Sequence, residues 1–189
     1  MNLAAQETPA FSHQEYLEGE QRSDIRHEYL AGQVFAMAGA GEKHNRIAGN
    51  LFFHLRAATR GKPCGVFISD MKLLVEQNDA YYYPDVMLTC DPADSESLYK
   101  RLPCLIVEVL SPSTEAIDRR EKLIAYRNLS SLRYYLLVSQ EKRQVECYVR
   151  DAENRWRLTV CDNEGTLEII CDDLKVNFSL DDIYEDVRL

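Results

Sequence analysis

The chain has 189 residues, a net charge of −9 and a hydrophobic fraction of 46%. This length suits a hydrophobic core that needs no disulfide or structural metal, and we predict one domain over residues 1–189. The acidic balance opposes non-specific coating of nucleic acid, because such binding depends on Lys and Arg neutralising phosphates. An enzyme of this charge that acts on nucleic acid needs a local basic rim.

The first thirty residues lack the basic start and apolar block of a secretion signal, and no apolar run approaches the ~18 residues of a membrane helix. We therefore expect a cytoplasmic protein with no membrane partner. The six cysteines contain no CxxC pair, and at least four lie in apolar strand-like runs, which predicts reduced, buried thiols. They are Cys64, Cys90, Cys104, Cys147, Cys161 and Cys171.

The N-terminal third predicts a helix, a hairpin and a second helix. Ser12 and Glu15 form a capping-box signature, which predicts a short helix that ends near Gly19. The segment HEYLAGQVFAM, with its Ala-Gly turn, predicts a hairpin of two short strands, residues 28–30 and 33–37. Apolar residues at helical spacing predict a long helix over residues 42–59, which Gly61-Lys62-Pro63 ends.

The middle of the chain is rich in β-branched and aromatic residues. Residues 65–75 and 81–90 predict two strands of one hairpin, and the nearly continuous apolar run 102–110 predicts a central strand covered on both faces. Asp118 and Glu121 resemble a capping box and predict a helix over residues 118–129. Residues 133–138 predict the next buried strand.

The C-terminal third predicts three further antiparallel strands and a short final helix. The strands are residues 144–150, 156–161 and 166–171, and the helix is residues 179–184. Taken together, these elements predict an α/β fold in which helices flank a mixed β-sheet.

Two carboxylates lie in apolar strand-like segments. Glu108 is surrounded by apolar residues in LIVEVL, and Asp85 follows Pro84, which favours a strand start, a bulge or an edge. Because Mg²⁺ prefers hard oxygen ligands, two carboxylates on adjacent strands and one backbone carbonyl would bind it. Such a metal activates water and neutralises phosphoryl charge. Alternatively, each carboxylate pairs with an arginine or caps a turn.

The order of several motifs resembles a known family. The motifs are Pro84-Asp85, the run EVLSPST from Glu108 to Thr114, the helix residues Asp118, Lys122 and Tyr126, and upstream EYLAGQV from Glu28, Met37-Ala38 and His44. Over residues 12–150 this pattern resembles the Uma-type endonucleases of the PD-(D/E)XK superfamily. The resemblance implies a four-stranded mixed β core, with Asp85 and Glu108 as Mg²⁺ or Mn²⁺ ligands. It also implies hydrolysis of nucleic-acid phosphodiesters, with DNA as the expected substrate.

One position departs from the superfamily pattern. Leu110 stands where the pattern has a lysine, two residues after the second acid, and we expect Lys122 to replace it and to orient the attacking water. Alternatively, Lys122 is a solvated helix charge paired with Asp118. Glu28 is a candidate additional metal ligand, and Asp118 and Tyr126 are candidate supporting residues.

His44 is either a phosphate or carboxylate partner at a helix start or a satisfied, partly buried histidine. The candidate basic rim comprises Lys100, Arg101, Arg119, Arg120, Arg127, Arg56, Arg60 and Lys62, all of which could instead be solvated.

Two other functions remain open. One is a catalytically silent nucleic-acid- or protein-binding module with the same fold, which the acidic charge and Leu110 favour. The other is a small acidic α/β protein whose two carboxylates pair with Arg119 or Arg120. In that protein the tyrosine-rich strands around residues 81–83 would form a homodimer surface.

Overall fold

The N-terminal elements follow the predicted order in the computed structural model, which describes residues 10–162 and 164–189. They are α1 (His13–Glu20), β1 (His27–Leu30), β2 (Gln33–Ala36) and α2 (Glu42–Ala58). The predicted capping box is present, since the Ser12 side chain accepts from the Glu15 amide and the Glu15 carboxylate accepts from the Ser12 amide. The hairpin turn places Ala31 and Gly32 at positive φ, which explains the glycine there.

The predicted hairpin over residues 65–90 forms, but both of its arms are broken. Its four strands are β3 (Gly65–Ile68), β4 (Lys72–Val75), β5 (Ala80–Tyr82) and β6 (Val86–Thr89). β3 pairs with β6, and β4 pairs with β5. Ser69, with a φ of 54°, interrupts the first arm. Pro84 interrupts the second arm, because proline has no backbone N–H to donate. The two halves of the hairpin therefore belong to different sheets.

The remaining strands complete two larger sheets and a small hairpin. They are β7 (Tyr99–Lys100), β8 (Leu105–Leu110), β9 (Tyr134–Ser139), β10 (Gln144–Arg150), β11 (Trp156–Asp162), β12 (Thr166–Cys171) and β13 (Leu174–Ser179). The five-stranded sheet has the order β2-β1-β5-β4-β7, the six-stranded sheet has the order β11-β10-β9-β8-β6-β3, and β12 pairs with β13. The mixed sheet is thus wider than the four strands expected, and β13 was not predicted.

β8 is the central strand that the apolar run predicted, because all six of its residues are buried. It pairs antiparallel with β6 and parallel with β9. Val107 and Val109 face α2, whereas Ile106 and Leu110 belong to the core on the opposite side, which the five-stranded sheet shares. Glu108 lies two residues from both Ile106 and Leu110 and so faces the same side of the strand as they do. Its side chain therefore points into that second core.

The helical connection from β8 to β9 differs from the prediction. It begins at Glu115, as α3 (Glu115–Ile117), continues as a π-helical segment (Asp118–Lys122) and ends as α4 (Leu123–Arg127). Asp118 is therefore inside the helix and buried, and it does not cap the first turn. The capping-box pattern was misleading because an interior acid at this spacing looks the same in sequence. The last helix, α5 (Leu180–Ile183), has a genuine capping box of Ser179 and Asp182.

The prediction that the cysteines are all reduced is wrong for four of them. Cys64 is bonded to Cys90, and Cys104 is bonded to Cys171, across sequence separations of 26 and 67 residues. Strand pairing explains the first bond, because Gly65 opposes Thr89 and so brings the flanking cysteines together. Cys147 and Cys161 are buried free thiols, as predicted. Among the described helices, none has the length and apolarity needed to cross a bilayer.

The α2 core is tested by Leu51→Ala. The Leu51 side chain is fully buried against the six-stranded sheet, so the cavity that remains should lower the free energy of unfolding by about 2–5 kcal/mol. Phe53→Ala on the same helix is the matched control, because 65% of Phe53 is exposed and its loss should change stability by less than ~0.5 kcal/mol. Urea unfolding measures both, and equal losses would contradict this assignment of the core.

Candidate active site

A cleft of about 380 Å³ opens where β3, β8 and β9 end and β6 begins. The segments that bound it are the loop before α2, which contains Gly39 and Gly41, and the turn after β8, which contains Ser111 and Thr114. Glycines at the first edge leave the space open, and hydroxyls line the second. Of the predicted site residues, Asp85, Glu108, Lys122, His44 and Asp118 all line this cleft.

Asp85 and Glu108 are brought together by the register of β6 and β8. Val86 opposes Val107. Asp85, which precedes Val86, and Glu108, which follows Val107, are therefore the next pair and share a face. Asp85 Oδ2 accepts a hydrogen bond of 2.7 Å from the backbone amide of Val109, which fixes the carboxylate against β8. The two acids therefore point to the same side of the sheet.

His44 is the second partner of Asp85. Its Nε2 lies 3.1 Å from Asp85 Oδ2, as expected for a carboxylate partner at the start of α2. Burial lowers the pKa of His44, but the hydrogen bond and the charge of Asp85 outweigh burial, so the pKa is raised overall. The Nδ1 atom of His44 is buried and has no hydrogen-bond partner among the described residues.

Lys122 lies among three carboxylates and is almost completely buried. Its Nζ is 3.1 Å from Glu28 Oε1, 3.2 Å from Glu108 Oε1 and 3.3 Å from Asp118 Oδ1. Burial alone would lower the pKa of Lys122, but the charges of these carboxylates hold the pKa well above its ordinary value. The alternative of a solvated helix charge is therefore wrong, although the expected pair with Asp118 is present.

Glu108 is one of the two buried carboxylates of the group, with Asp118. Tyr126 donates a hydrogen bond of 2.8 Å to its Oε1, the same oxygen that Lys122 contacts. Burial, together with the charges of Asp118, Asp85 and Glu28, raises the pKa of Glu108 well above its usual range despite the nearby ammonium. The cluster thus favours a proton or a cation at its centre.

Glu28 belongs to the five-stranded sheet and reaches the cluster from the opposite wall. Its Oε1 accepts a hydrogen bond of 3.3 Å from the backbone amide of Tyr83, in addition to its contact with Lys122. Five of the seven predicted site residues, Glu28, Glu108, Asp118, Lys122 and Tyr126, are therefore joined by direct contacts, and the other two, Asp85 and His44, form a pair beside them.

A divalent cation fits the donor set of this cleft. Four carboxylates, those of Glu28, Asp85, Glu108 and Asp118, face the single ammonium of Lys122 and one histidine, so negative charge is in excess. Oxygen donors are what Mg²⁺ and Mn²⁺ prefer, and Mg²⁺ needs only one or two carboxylates because it retains several waters. No group of three or more His, Cys, Asp or Glu side chains in the described segments is already arranged around a metal position. Three of the acids are instead arranged around the ammonium.

The predicted basic rim does not line the cleft. Lys100 is buried and donates to two backbone carbonyls, and Arg101 pairs with Glu76. The cationic side chains along the described part of the cleft are Lys122 and Arg26, and Arg26 pairs with Asp70. None of the candidate rim residues borders the cleft, and sequence alone could not place these cations relative to the strand ends.

The structure excludes the alternative in which the two acids pair with arginines. Arg119 binds Glu115 and Glu146, whereas Asp85 and Glu108 contact His44, Lys122 and Tyr126. Tyr81, Tyr82 and Tyr83 are each at least 97% buried within the chain, so they form no exposed dimer surface.

Some residues of the cleft were missed. Ser111 Oγ lies 3.0 Å from both Ser113 Oγ and Thr114 Oγ1, which forms a hydroxyl cluster beside the acids. The available signal was their position in the SPST turn directly after β8, where polar side chains follow a buried strand. Tyr83 and the loop residues 39–41 carried no such signal, because they approach the acids only in three dimensions.

Comparison with solved structures supports the expected fold class. The chain is similar to a crystal structure from Anabaena variabilis titled "a putative nuclease belonging to DUF820", with a TM-score of 0.69 at 13% sequence identity. The match covers 86% of this chain and 91% of that chain. The mixed sheet and its flanking helices therefore define a nuclease-like α/β fold.

A family model described as "Uma2: Putative restriction endonuclease" matches residues 13–182, so the chain belongs to the Uma2 family. Two relatives from Synechocystis sp. agree with this membership. The first, "Uncharacterized protein slr1290", is 36% identical over 177 residues and covers 93% of this chain and 92% of its own length. The second, "Uncharacterized protein sll1609", is 34% identical over 148 residues and covers 77% of this chain and 84% of its own length.

The charge balance of the cluster is tested by Lys122→Met. Without the ammonium, the buried carboxylates lack a compensating charge, and breaking such a pair should lower the free energy of unfolding by about 3–5 kcal/mol near pH 8. Lys122 lowers the pKa of Glu108 and of Asp118, so its removal raises both pKa values further, and the native state of the variant takes up protons at a higher pH than that of the wild type. The loss should therefore shrink as the pH falls toward ~5.

Urea unfolding at both pH values measures this difference. Lys175→Met is the matched control, because Lys175 forms an exposed ion pair with Glu168 and its loss should cost less than ~1 kcal/mol. An equal, pH-independent loss in the two variants would contradict the proposed charge balance.

Proposed function

We propose that this protein is a Mg²⁺- or Mn²⁺-dependent endonuclease that hydrolyses phosphodiester bonds of nucleic acid, with DNA as the first substrate to test. The observation that carries the proposal is the convergence of Asp85 and Glu108 from adjacent strands into one cleft beside the ammonium of Lys122. Membership of a family described as "Putative restriction endonuclease" supports the same reaction class.

Asp85 and Glu108 are the residues that would hold the cation, and Glu28 is a further candidate ligand. One carboxylate oxygen of each, Asp85 Oδ2 and Glu108 Oε1, already accepts hydrogen bonds from the chain. The other oxygen of each, Asp85 Oδ1 and Glu108 Oε2, accepts none from the described residues. A bound divalent cation lowers the pKa of coordinated water and neutralises charge on a phosphoryl group. The excess of carboxylates in the cleft favours its binding.

The chain's own groups would then orient the reactants. Lys122 supplies the ammonium that the superfamily pattern places two residues after the second acid, and we assign it the orientation of the attacking water. Tyr126 and Asp118 hold Glu108 and Lys122 in place through the contacts described above. His44 contacts the same Asp85 oxygen that the Val109 amide holds. Such positioning is where much of the rate enhancement in phosphoryl transfer originates.

A catalytically silent binding module is the second candidate. Its specific support is that Lys122 already lies between three of the four acids, which reduces the demand for a metal. Leu110 at the usual lysine position agrees with this alternative. Under it, nucleic acid or protein would bind and no bond would be cleaved.

Plasmid nicking tests the proposed reaction. Wild-type protein should convert supercoiled DNA to the open form with millimolar Mg²⁺ or Mn²⁺ and not with EDTA. Asp85→Asn should lose at least ~100-fold of this activity, since even substitutions adjacent to metal ligands cost 10–100-fold. Asp173→Asn, an exposed acid on the β12-β13 turn, is the matched control and should retain full activity. Metal-independent nicking, or an active Asp85→Asn variant, would contradict the proposal.

A thermal melt tests metal binding separately from cleavage. A cation that binds only the native state at 100 times its Kd should add about 2.7 kcal/mol of stability, which raises the Tm. Asp85→Asn should abolish the shift, and Asp173→Asn should preserve it. If metal raises the Tm of Asp85→Asn as much as that of the wild type, then the cation binds elsewhere.

A further inference from the structure

An exposed surface outside the cleft combines apolar and aromatic side chains on the two outermost strands of the six-stranded sheet. Tyr148 and Arg150 of β10 are opposite Leu158 and Trp156 of β11, and opposite residues share a face. Leu158 and Val160 are each 50% exposed, which is high for large apolar residues on a sheet face. β11 is an edge strand of the sheet, so the surface that these residues form, a floor, is open along one side.

Arginines of the helical connection form a wall along this floor. Arg127 Cζ lies 5.7 Å from the centroid of the Tyr148 ring, which places α4 beside the same face of β10. Arg120 precedes Arg127 by seven residues on the same helical segment, Arg120 in its π-helical part and Arg127 at the end of α4. Both are exposed, and neither forms an ion pair within the described part of the chain. We call this surface the arginine shelf. It consists of Tyr148, Arg150, Trp156, Leu158 and Val160 of the sheet and of Arg119, Arg120 and Arg127 of the helical segment.

The arginine shelf has a positive local charge although the whole chain has a net charge of −9. Its guanidinium groups are those of Arg119, Arg120, Arg127 and Arg150. Glu115 and Glu146, beside the shelf, both pair with Arg119, at 2.7 Å each, and Glu121, next to Arg120, accepts a hydrogen bond from Tyr82. The remaining three guanidinium groups have no such carboxylate partner among the described residues. The shelf therefore complements a negatively charged partner.

Two of these guanidinium groups also lie over aromatic rings. Arg150 Cζ is 4.6 Å from the centroid of the Trp156 ring, in addition to the Arg127 contact with Tyr148. Stacked guanidinium and aromatic groups are the platforms on which proteins bind unpaired bases. Bases in a duplex are stacked inside the helix and cannot reach such a flat surface. The combination of free cations and platforms thus matches a single strand better than a duplex or an acidic protein.

We infer that the arginine shelf binds a single-stranded segment of nucleic acid, whose phosphates contact Arg120 and Arg127 and whose bases stack on the platforms that Arg127 forms with Tyr148 and Arg150 with Trp156. This inference rests on the proposed nuclease function, since it names where the substrate strand binds outside the cleft. The shelf and the cleft share one helical segment. Arg119 directly follows Asp118, which lines the cleft, and Lys122 and Arg127 are about 7.5 Å apart along a helix axis.

Arg150 is unsuitable as a probe because it also supports the fold. It donates to the backbone carbonyls of Ser130 and Arg127, at 3.1 and 2.7 Å, and so closes the C-terminal end of α4. The test variant is therefore the double charge reversal R120E/R127E at two exposed positions. R56E/R60E is the matched control, with the same change in net charge at exposed positions near the end of α2.

The experiment measures binding of labelled oligo-dT and oligo-U of about 15 nucleotides, and of a DNA duplex of equal length, to the full chain in EDTA. Trp156 is the single tryptophan, so its fluorescence reports directly on the shelf. Wild type should bind the single strands more tightly than the duplex, with quenching of Trp156. R120E/R127E should bind at least ~10-fold more weakly, and its log–log salt slope should fall by about 1.4, or ~0.7 for each of two contacts. R56E/R60E should remain within about twofold of wild type.

The inference is overturned if no single strand binds, if the duplex binds as tightly, or if the two double variants behave alike. It is also overturned if R120E/R127E changes only the oligomeric state in a sizing experiment, since the shelf would then be a contact with another copy. The Asp85→Asn variant separates this result from the proposed chemistry. It should still bind oligonucleotide and quench Trp156, so a failure of cleavage and a failure of the shelf give different outcomes.

Discussion

The site depends on one buried ammonium held by three carboxylates. Lys122 contacts Glu28 from one sheet, Glu108 from the other and Asp118 from its own helical segment. Burying any of these charges alone would be costly, and the mutual contacts offset that cost. The need to compensate these charges explains why the elements converge. The central strand tolerates Glu108 because the helical segment that follows places the ammonium of Lys122 beside it. The same charges leave the cleft with an excess of negative charge, which a divalent cation would neutralise.

Strand register converts this electrostatic arrangement into a site. β6 begins directly after the break at Pro84, so Asp85 stands at its entry, and its antiparallel pairing with β8 places it beside Glu108. The helical connection, which carries Arg120 and Arg127, then runs away from the cleft toward β10. Chemistry and strand binding would thus be arranged along one connection between two parallel strands. An acidic chain can act on nucleic acid in this way because its positive charge is local.

Much of the fold could be predicted because its signals are local. The Ser12 capping box, the apolar spacing of α2 and the continuous burial of β8 each follow from neighbouring residues. The broken arms of the middle hairpin and the pairing of Cys104 with Cys171 depend on contacts distant in sequence, and they were not predicted. Asp118 shows the limit clearly, because its spacing to Glu121 suits a helix cap, whereas in the structure Asp118 is buried inside the helical segment and pairs with Lys122.

For the site, the residues could be identified but not their arrangement. Glu108 was visible as an acid in an apolar strand, and family resemblance supplied Lys122 and Glu28. Nothing local showed that the ammonium would contact three acids, or that Lys100 and Arg101 would lie away from the cleft. Those features follow from how the two sheets meet, which is a property of the packed core.

The most direct test of the central claim is a crystal of the protein soaked in Mn²⁺ and measured for anomalous scattering. The account predicts a peak bound by carboxylate oxygens of both Asp85 and Glu108, at about 2.1 Å, which is the spacing typical of Mg²⁺ sites. Lys122 should remain beside the cation and retain its contact with at least one acid. Anomalous density only elsewhere, with the ammonium still holding Glu28, Glu108 and Asp118, would contradict the account.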